Sequence, residues 1–236
     1  MPGGSSKLSL AILTLFLAPS LASSPSAQAP PEPIKELQVP LVQQWGDQSN
    51  CGPSAAAMVL GAYRSETDPD EIAILRDKMG RWSWKRFALR RMRIPGVRGG
   101  WTTPAMLVKT LNRFAHRTGF TQINFAPSDH PDRAQVALVR VLREGRPILA
   151  LVETKILWPT AGLGLHWVVI RGIEKNRVVI NDSADGSRAT FPLAKFIHAW
   201  QLGPVYRALP VVSAFSGVVG DAPLPPPRSP EHFASR

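Results

Sequence analysis

The chain has 236 residues, 44% hydrophobic and 19% charged, with a single cysteine. That balance excludes a disordered chain or a coiled coil for the middle of the sequence. One cysteine excludes an internal disulfide framework and a multi-thiolate metal site. Lys and Arg outnumber Asp and Glu by 28 to 17, and the net charge of +11 favours anionic partners without choosing among membrane headgroups, cell-wall polymers and nucleic acid.

The first element is an address. Lys7 precedes an apolar run from Leu8 to Ala18, followed by the small-x-small end Ser20-Leu21-Ala22. This is the pattern of a secretory signal peptide, and it falls short of the roughly 20 apolar residues that span a bilayer. Cleavage is expected after Ala22, with Ala27-Gln28-Ala29 as the other matching site, and the product is expected to be periplasmic or extracellular. Residues 23–37, rich in Ser, Pro and Ala, read as a flexible linker. Residues 211–236, with Pro223 and Pro225-Pro226-Pro227, read as a solvated tail. The working domain predicted between them covers residues 38–210.

Within that domain the first helix runs from Pro53 to Tyr63, apolar nearly all round and therefore buried. Asp68 or Asp70 caps a second helix ending at Met79. Thr103, before Pro104, caps a third with Met106, Leu107, Leu111 and Phe114 on one side, and a fourth from Arg133 to Glu144 stops at Gly145. Pro147–Val152 reads as a buried strand. His166–Ile173 and Arg177–Asn181 read as a hairpin through Glu174-Lys175-Asn176, and a short helix lies within Phe191–Trp200. Helices first and adjacent strands after predict an α+β fold with an antiparallel sheet.

The lone cysteine, Cys51, lies immediately before the central helix, in Ser49-Asn50-Cys51-Gly52-Pro53-Ser54. Amides at a helix N-terminus favour a thiolate, and Gly52 leaves room beside the sulfur. A helix end supplies about 0.3–2 kcal/mol, whereas lowering a thiol pKa by two or three units takes roughly 3–4 kcal/mol. A nucleophilic Cys51 therefore needs an imidazolium beside it. Of His116, His130, His166, His198 and His232, His166 is the best placed: it opens the strongest strand and follows a Gly-rich approach, Ala161-Gly162-Leu163-Gly164. A third group must fix the ring. Asp182 ends the partner strand, and Asn181 is the adjacent alternative. An oxyanion needs the Cys51 amide and an upstream side-chain amide, for which Gln43, Gln44 and Gln48 are available.

Taken together, Val39-Pro40, Gln44, Asn50-Cys51-Gly52-Pro53-Ser54-Ala55-Ala56-Ala57-Met58, Gly100-Trp101-Thr102-Thr103-Pro104, His166-Trp167-Val168-Val169 and Asn181-Asp182 resemble the papain-like double-glycine leader peptidases, which process bacteriocins. The resemblance implies a papain-like fold and a peptide or protein substrate. It also implies Cys51 as nucleophile, His166 as base, Asp182 as orienting residue and Gln44 as oxyanion donor. Two features depart from the family. The glutamine usually stands six residues before the cysteine, where this chain has Trp45, and the well-known members are domains of membrane exporters.

Between the second and third helices, Arg81 to Arg98 is rich in Arg, Lys and Trp. As a basic aromatic segment it suits contact with an anionic membrane or the cell envelope, or the edge of a substrate cleft. Nucleic acid is the least expected partner for an exported chain. The sequence carries no phosphate loop, dinucleotide fingerprint or zinc spacing, so no cofactor is expected. The expectation is an exported cysteine peptidase. Its rivals are acyl transfer or amidase chemistry at the same three residues, and a silent papain-fold module that binds anionic envelope components.

Overall fold

The computed structural model describes residues 33–44, 50–66, 68–86, 102–115, 118–124, 130–161, 164–207 and 214–226, with the backbone alone at 82–86, 124 and 205. The elements in chain order are α1 (Cys51–Tyr63), α2 (Pro69–Arg86), α3 (Pro104–Phe114), β1 (Phe120–Asn124), α4 (Pro131–Arg143), β2 (Ile148–Glu153), α5 (Thr154–Leu157), β3 (Leu165–Glu174), β4 (Arg177–Asp182), β5 (Ser187–Pro192), α6 (Leu193–Trp200), α7 (Pro204–Arg207) and β6 (Ser216–Gly220). The six strands form one sheet in the order β1-β6-β2-β3-β4-β5, antiparallel at every pairing. This is the α+β architecture predicted.

Alternation along the central strands sorts side chains to two faces. Leu149, Leu151, Trp167 and Val169 face α1, whose residues from Cys51 to Ala62 are all buried. Ile148, Ala150, Val168 and Ile170 face the other way, with α4 and α6 residues such as Leu138 and Phe196. With about 1.5–3 kcal/mol for each large apolar side chain fully buried, these two clusters fix which face each strand presents. Helix ends follow local chemistry. Asp68 accepts the Asp70 N–H at 2.9 Å, Thr103 caps α3 through the Met106 N–H at 3.2 Å, and Gly145 leaves α4 at φ +73°.

Several boundaries differ from the sequence reading. The sheet does not end before residue 211: β6 lies between β1 and β2, with Val218 and Val219 buried, so residues 216–220 belong to the core and not to a tail. At the other end, Ile34 bridges Ile173, so residues from 34 onward pack on the domain and are no linker. Helix α2 continues past Met79 to Arg86, which makes the start of the basic aromatic segment helical; its remainder to Arg98 lies outside the described residues, as do residues 1–32, where a signal peptide was expected, and the chain after 226. Strands β1 and β5 were not anticipated.

The β3–β4 hairpin turns through Lys175 and Asn176, both at positive φ (46° and 59°), as a two-residue turn of the type that matches strand twist. From the turn the register runs Glu174↔Arg177, Ile173↔Val178, Gly172↔Val179, then skips to Ile170↔Ile180, Val169↔Asn181 and Val168↔Asp182. Arg171 is thus a bulge, an extra residue in β3 without a partner in β4.

Candidate active site

Cys51 is the first residue of α1, 8% exposed, and its thiol lies at the end of β3 where His166 stands. His166 and Asp182 are both buried, and the imidazole Nε2 lies 2.7 Å from Asp182 Oδ1. With Nε2 engaged, the ring nitrogen left for the hydrogen bond to the Cys51 sulfur is Nδ1. Three residues far apart in the chain therefore form one line: sulfur, imidazole, carboxylate. Among the other histidines, His130 caps α4 and His198 sits on α6, both exposed; His116 and His232 lie outside the described residues.

The Arg171 bulge decides which residue meets the imidazole. Counted from the turn without a bulge, Asp182 would lie opposite Val169 and share the α1 face with it. The extra residue moves Asp182 opposite Val168, onto the face of His166, diagonal to it and within side-chain reach. It sends Asn181 to the other face, where Nδ2 donates to the carbonyls of Val39 and Pro40 at 3.2 and 3.1 Å. Between the two orienting residues open in the sequence, the geometry brings Asp182 to the ring and takes Asn181 away from it.

Burial acts first on each of the three groups and disfavours its charged form; the partners then reverse the balance. For Cys51, the hydrogen bond and charge of His166 and the amides of Trp167 and Gly52 outweigh burial and hold the thiol below its ordinary value. For His166, Asp182 and Cys51 outweigh burial and raise the imidazole to about 10. Asp182 is held low, against burial, by His166 and by the Ala184 N–H. The arrangement favours a thiolate and an imidazolium over two neutral groups.

The shell around the pair is tight. A Cβ on Gly52 would come within 2.6 Å of the Thr102 side chain, and the Thr102 carbonyl accepts Trp167 Nε1–H at 2.8 Å. Thr102 therefore spans the helix bearing Cys51 and the strand bearing His166. Trp158 packs edge-on against the imidazole, ring centroids 5.9 Å apart. Of these three, Thr102 and Trp167 stand in motifs of the sequence, Gly-Trp-Thr-Thr-Pro and His-Trp-Val-Val, while Trp158 has no such signal.

Gln44 donates its backbone N–H to the Ser183 carbonyl at 2.7 Å, so the chain passes beside Asp182 just before the segment leading to Cys51. Its Oε1 is buried without a hydrogen-bond partner among the described residues. Gln43 is exposed and reaches toward the Ala184 carbonyl, and Gln48 lies outside the described residues. Gly162 and Leu163 also lie outside them, while the Gly164 carbonyl accepts from the Thr154 backbone and hydroxyl. Among the described residues no group of three His, Cys, Asp or Glu could hold a metal ion, and no helix is long and apolar enough to cross a membrane.

The model of the Peptidase_C39 like family matches residues 36–203, well over half of the chain. No curated protein matches the sequence significantly. Among solved structures, a chain described as a C39-like peptidase from Bacillus anthracis superposes with a TM-score of 0.53 at 15% identity, covering 83% of this chain and 100% of its own. A double-glycine motif protease from an AMS/PCAT transporter, solved with the leader peptide, gives a TM-score of 0.44 at 16% identity over 80% and 96%. The Pseudomonas avirulence protein AvrPphB gives 0.36 at 13% over 72% and 89%. The chain belongs to the C39-like peptidase family, with the papain-like fold of a cysteine peptidase.

Proposed function

We propose that this protein is an exported peptidase that hydrolyses peptide bonds with Cys51 as nucleophile, His166 as acid and base, Asp182 as the group that holds the ring, and Gln44 with the Cys51 amide as oxyanion donors. The observation that carries this reading is the buried 2.7 Å bond between His166 and Asp182 on the side of the ring away from Cys51, in a chain of this family.

The Cys51 thiolate adds to the substrate carbonyl carbon, the C–S bond forms and the C=O pair becomes an oxyanion facing the two amide donors. The oxyanion collapses, the C–N bond breaks, and the proton on His166 Nδ1 goes to the leaving amine. Water then gives a proton to Nδ1 and its oxygen adds to the thioester; the thiolate leaves and a carboxylic acid is released. Throughout, Asp182 keeps Nε2–H pointed at itself, so that Nδ1 remains the working nitrogen.

Export rests on the pattern of residues 1–22, and contact with an anionic envelope rests on Arg81 to Arg98. The test of the chemistry is alkylation of Cys51 by iodoacetamide across pH. Strong labelling at pH 6 that disappears in His166→Ala is expected; half-labelling near pH 8.5, indifferent to His166→Ala, would overturn the reading. Cleavage profiling of wild type against Cys51→Ala on an envelope proteome then identifies the peptide bonds cut.

A further inference from the structure

We propose that Asn181 and Arg171 are positioning residues that set the register of the N-terminal strap, residues 34–44, and thereby decide that Gln44 is the glutamine presented to the oxyanion; this deepens, and rests on, the reading of Gln44 given above. Neither side chain meets the Cys51–His166–Asp182 line. Both are absorbed by the strap.

The strap takes the edge of β3 that β2 leaves free after Ile170: the Arg171 carbonyl takes the Leu37 N–H at 2.8 Å. The Arg171 guanidinium holds the Leu37 carbonyl at 3.1 Å, Glu36 at 3.0 Å and Asn181 Oδ1 at 3.0 Å. Asn181, fully buried, then donates to two successive strap carbonyls, Val39 and Pro40. The strap enters with Ile34 N–H on the Ile173 carbonyl at 2.8 Å and ends with Gln44 N–H on the Ser183 carbonyl at 2.7 Å. It lies against the β3 backbone: a Cβ on Gly172 would stand 3.2 Å from Glu36 Cα, so Gly172 is the residue that admits it.

Apolar contact alone would attach this segment, since Val39 and Val42 are buried. It would not fix its register. An extended chain slipped by one residue presents its other face, and here the slip would put Gln43 where Gln44 stands. An amide bonded to two adjacent carbonyls, and held in turn by a guanidinium fork, recognises one register only. Ordering the strap also costs conformational entropy at every residue, so loosening one clamp loosens the path to Gln44.

The experiment compares two probes of Cys51 in the full chain. Iodoacetamide reads the thiolate and involves no oxyanion. The peptide aldehyde acetyl-glycyl-glycinal reads the oxyanion site: the sulfur adds to the aldehyde carbon, the C=O pair moves to oxygen, and that oxygen takes the thiol proton to give a hemithioacetal. Asn181→Asp keeps the acceptor for Arg171 and removes both donors to the strap. It should weaken aldehyde binding by about 10–100-fold, below or near the loss expected for one oxyanion donor, with the alkylation rate and its pH profile unchanged. Arg171→Ala and the milder Glu36→Gln, at a partly exposed position, should move the aldehyde affinity in the same direction; Glu36→Gln decides the matter if Asn181→Asp does not fold. Unchanged aldehyde affinity in the folded variants, or an equal fall in both probes, overturns the proposal. Gln44→Ala separates the layers. If it weakens the aldehyde and the clamp variants do not, the clamp alone is refuted; if it has no effect, the reading of Gln44 falls, and the clamp with it.

Discussion

Replacing Asp182 by Asn removes a charge and keeps the shape and the oxygen facing His166. Asp182 and His166 side chains are 7% and 10% exposed, so solvent screens their interaction little. A hydrogen bond to a charged group contributes about 1.5–3 kcal/mol against 0.5–1.5 for a neutral one, and the loss of charge attraction at an effective dielectric near 20 adds to the difference. Taking about 2–3 kcal/mol in total, at 1.36 kcal/mol per pH unit, the imidazole should fall from about 10 to about 8. The sign for stability follows. A histidine raised above its unfolded value of 6.5 contributes fully below 6.5, and the contribution fades as pH rises through about 10. In the variant it fades by about 8. Titration of the protein labelled with carbon-13 at histidine Cε1 reads the midpoint directly, and thermal melts at pH 6 and pH 9 read the stability. The two proteins should differ more at pH 6, where His166 is charged in both, than at pH 9, where the variant has already lost this contribution and the wild type has lost part of its own. A midpoint near 10 in Asp182→Asn, or near 6.5 in the wild type, refutes the argument that Asp182 stabilises the imidazolium.

Two further outcomes test the frame around the site. Gly52→Ala in the first turn of α1 would gain up to about 1 kcal/mol of helix propensity, but the new Cβ meets Thr102 at 2.6 Å. Overpacking of this kind costs about 1–3 kcal/mol, so the melting temperature should fall; a rise would show that Thr102 moves aside freely. Truncation before Ala214 removes β6 and strips partners from both β1 and β2. Losing the buried Val218 and Val219, each worth roughly 1.5–3 kcal/mol, and the ladders with them should abolish a cooperative melt; a truncated chain that melts like the whole one would mean that β6 adds nothing to the sheet.

The parts of this fold visible in the sequence are those where one strong local signal coincides with burial. The apolar helix after Cys51, the β-branched runs at His166–Ile173 and Arg177–Asn181, and Thr103 before Pro104 all state their structure locally. β6 does not: Ser-Gly-Val-Val-Gly is short, flanked by glycine and close to a Pro-rich stretch, and its partners lie far back in the chain, at Phe120–Asn124 and Ile148–Ala150. β5 reads as polar because its residues are mostly half exposed. The Ser183 anchor of Gln44 is likewise a long-range contact with no trace in spacing.

The choice between Asn181 and Asp182 marks the limit most clearly. Both are hydrogen-bonding residues at the end of one strand, and adjacent positions of a strand point to opposite faces. Which of them meets His166 is a question of parity, decided by the number of residues between the turn and the site on each arm. That count differs by one between β3 and β4, and the difference is Arg171, whose identity says nothing of a bulge until Glu36, Leu37 and Asn181 are seen around it. The same extra residue that turns Asp182 toward the imidazole holds the strap through its guanidinium, at Glu36 and the Leu37 carbonyl. Deleting Arg171 should return Asp182 to the face of Val169 and take the guanidinium from the strap, whereas Arg171→Ala removes the guanidinium and leaves the residue count of the hairpin, and so the place of Asp182, as it is.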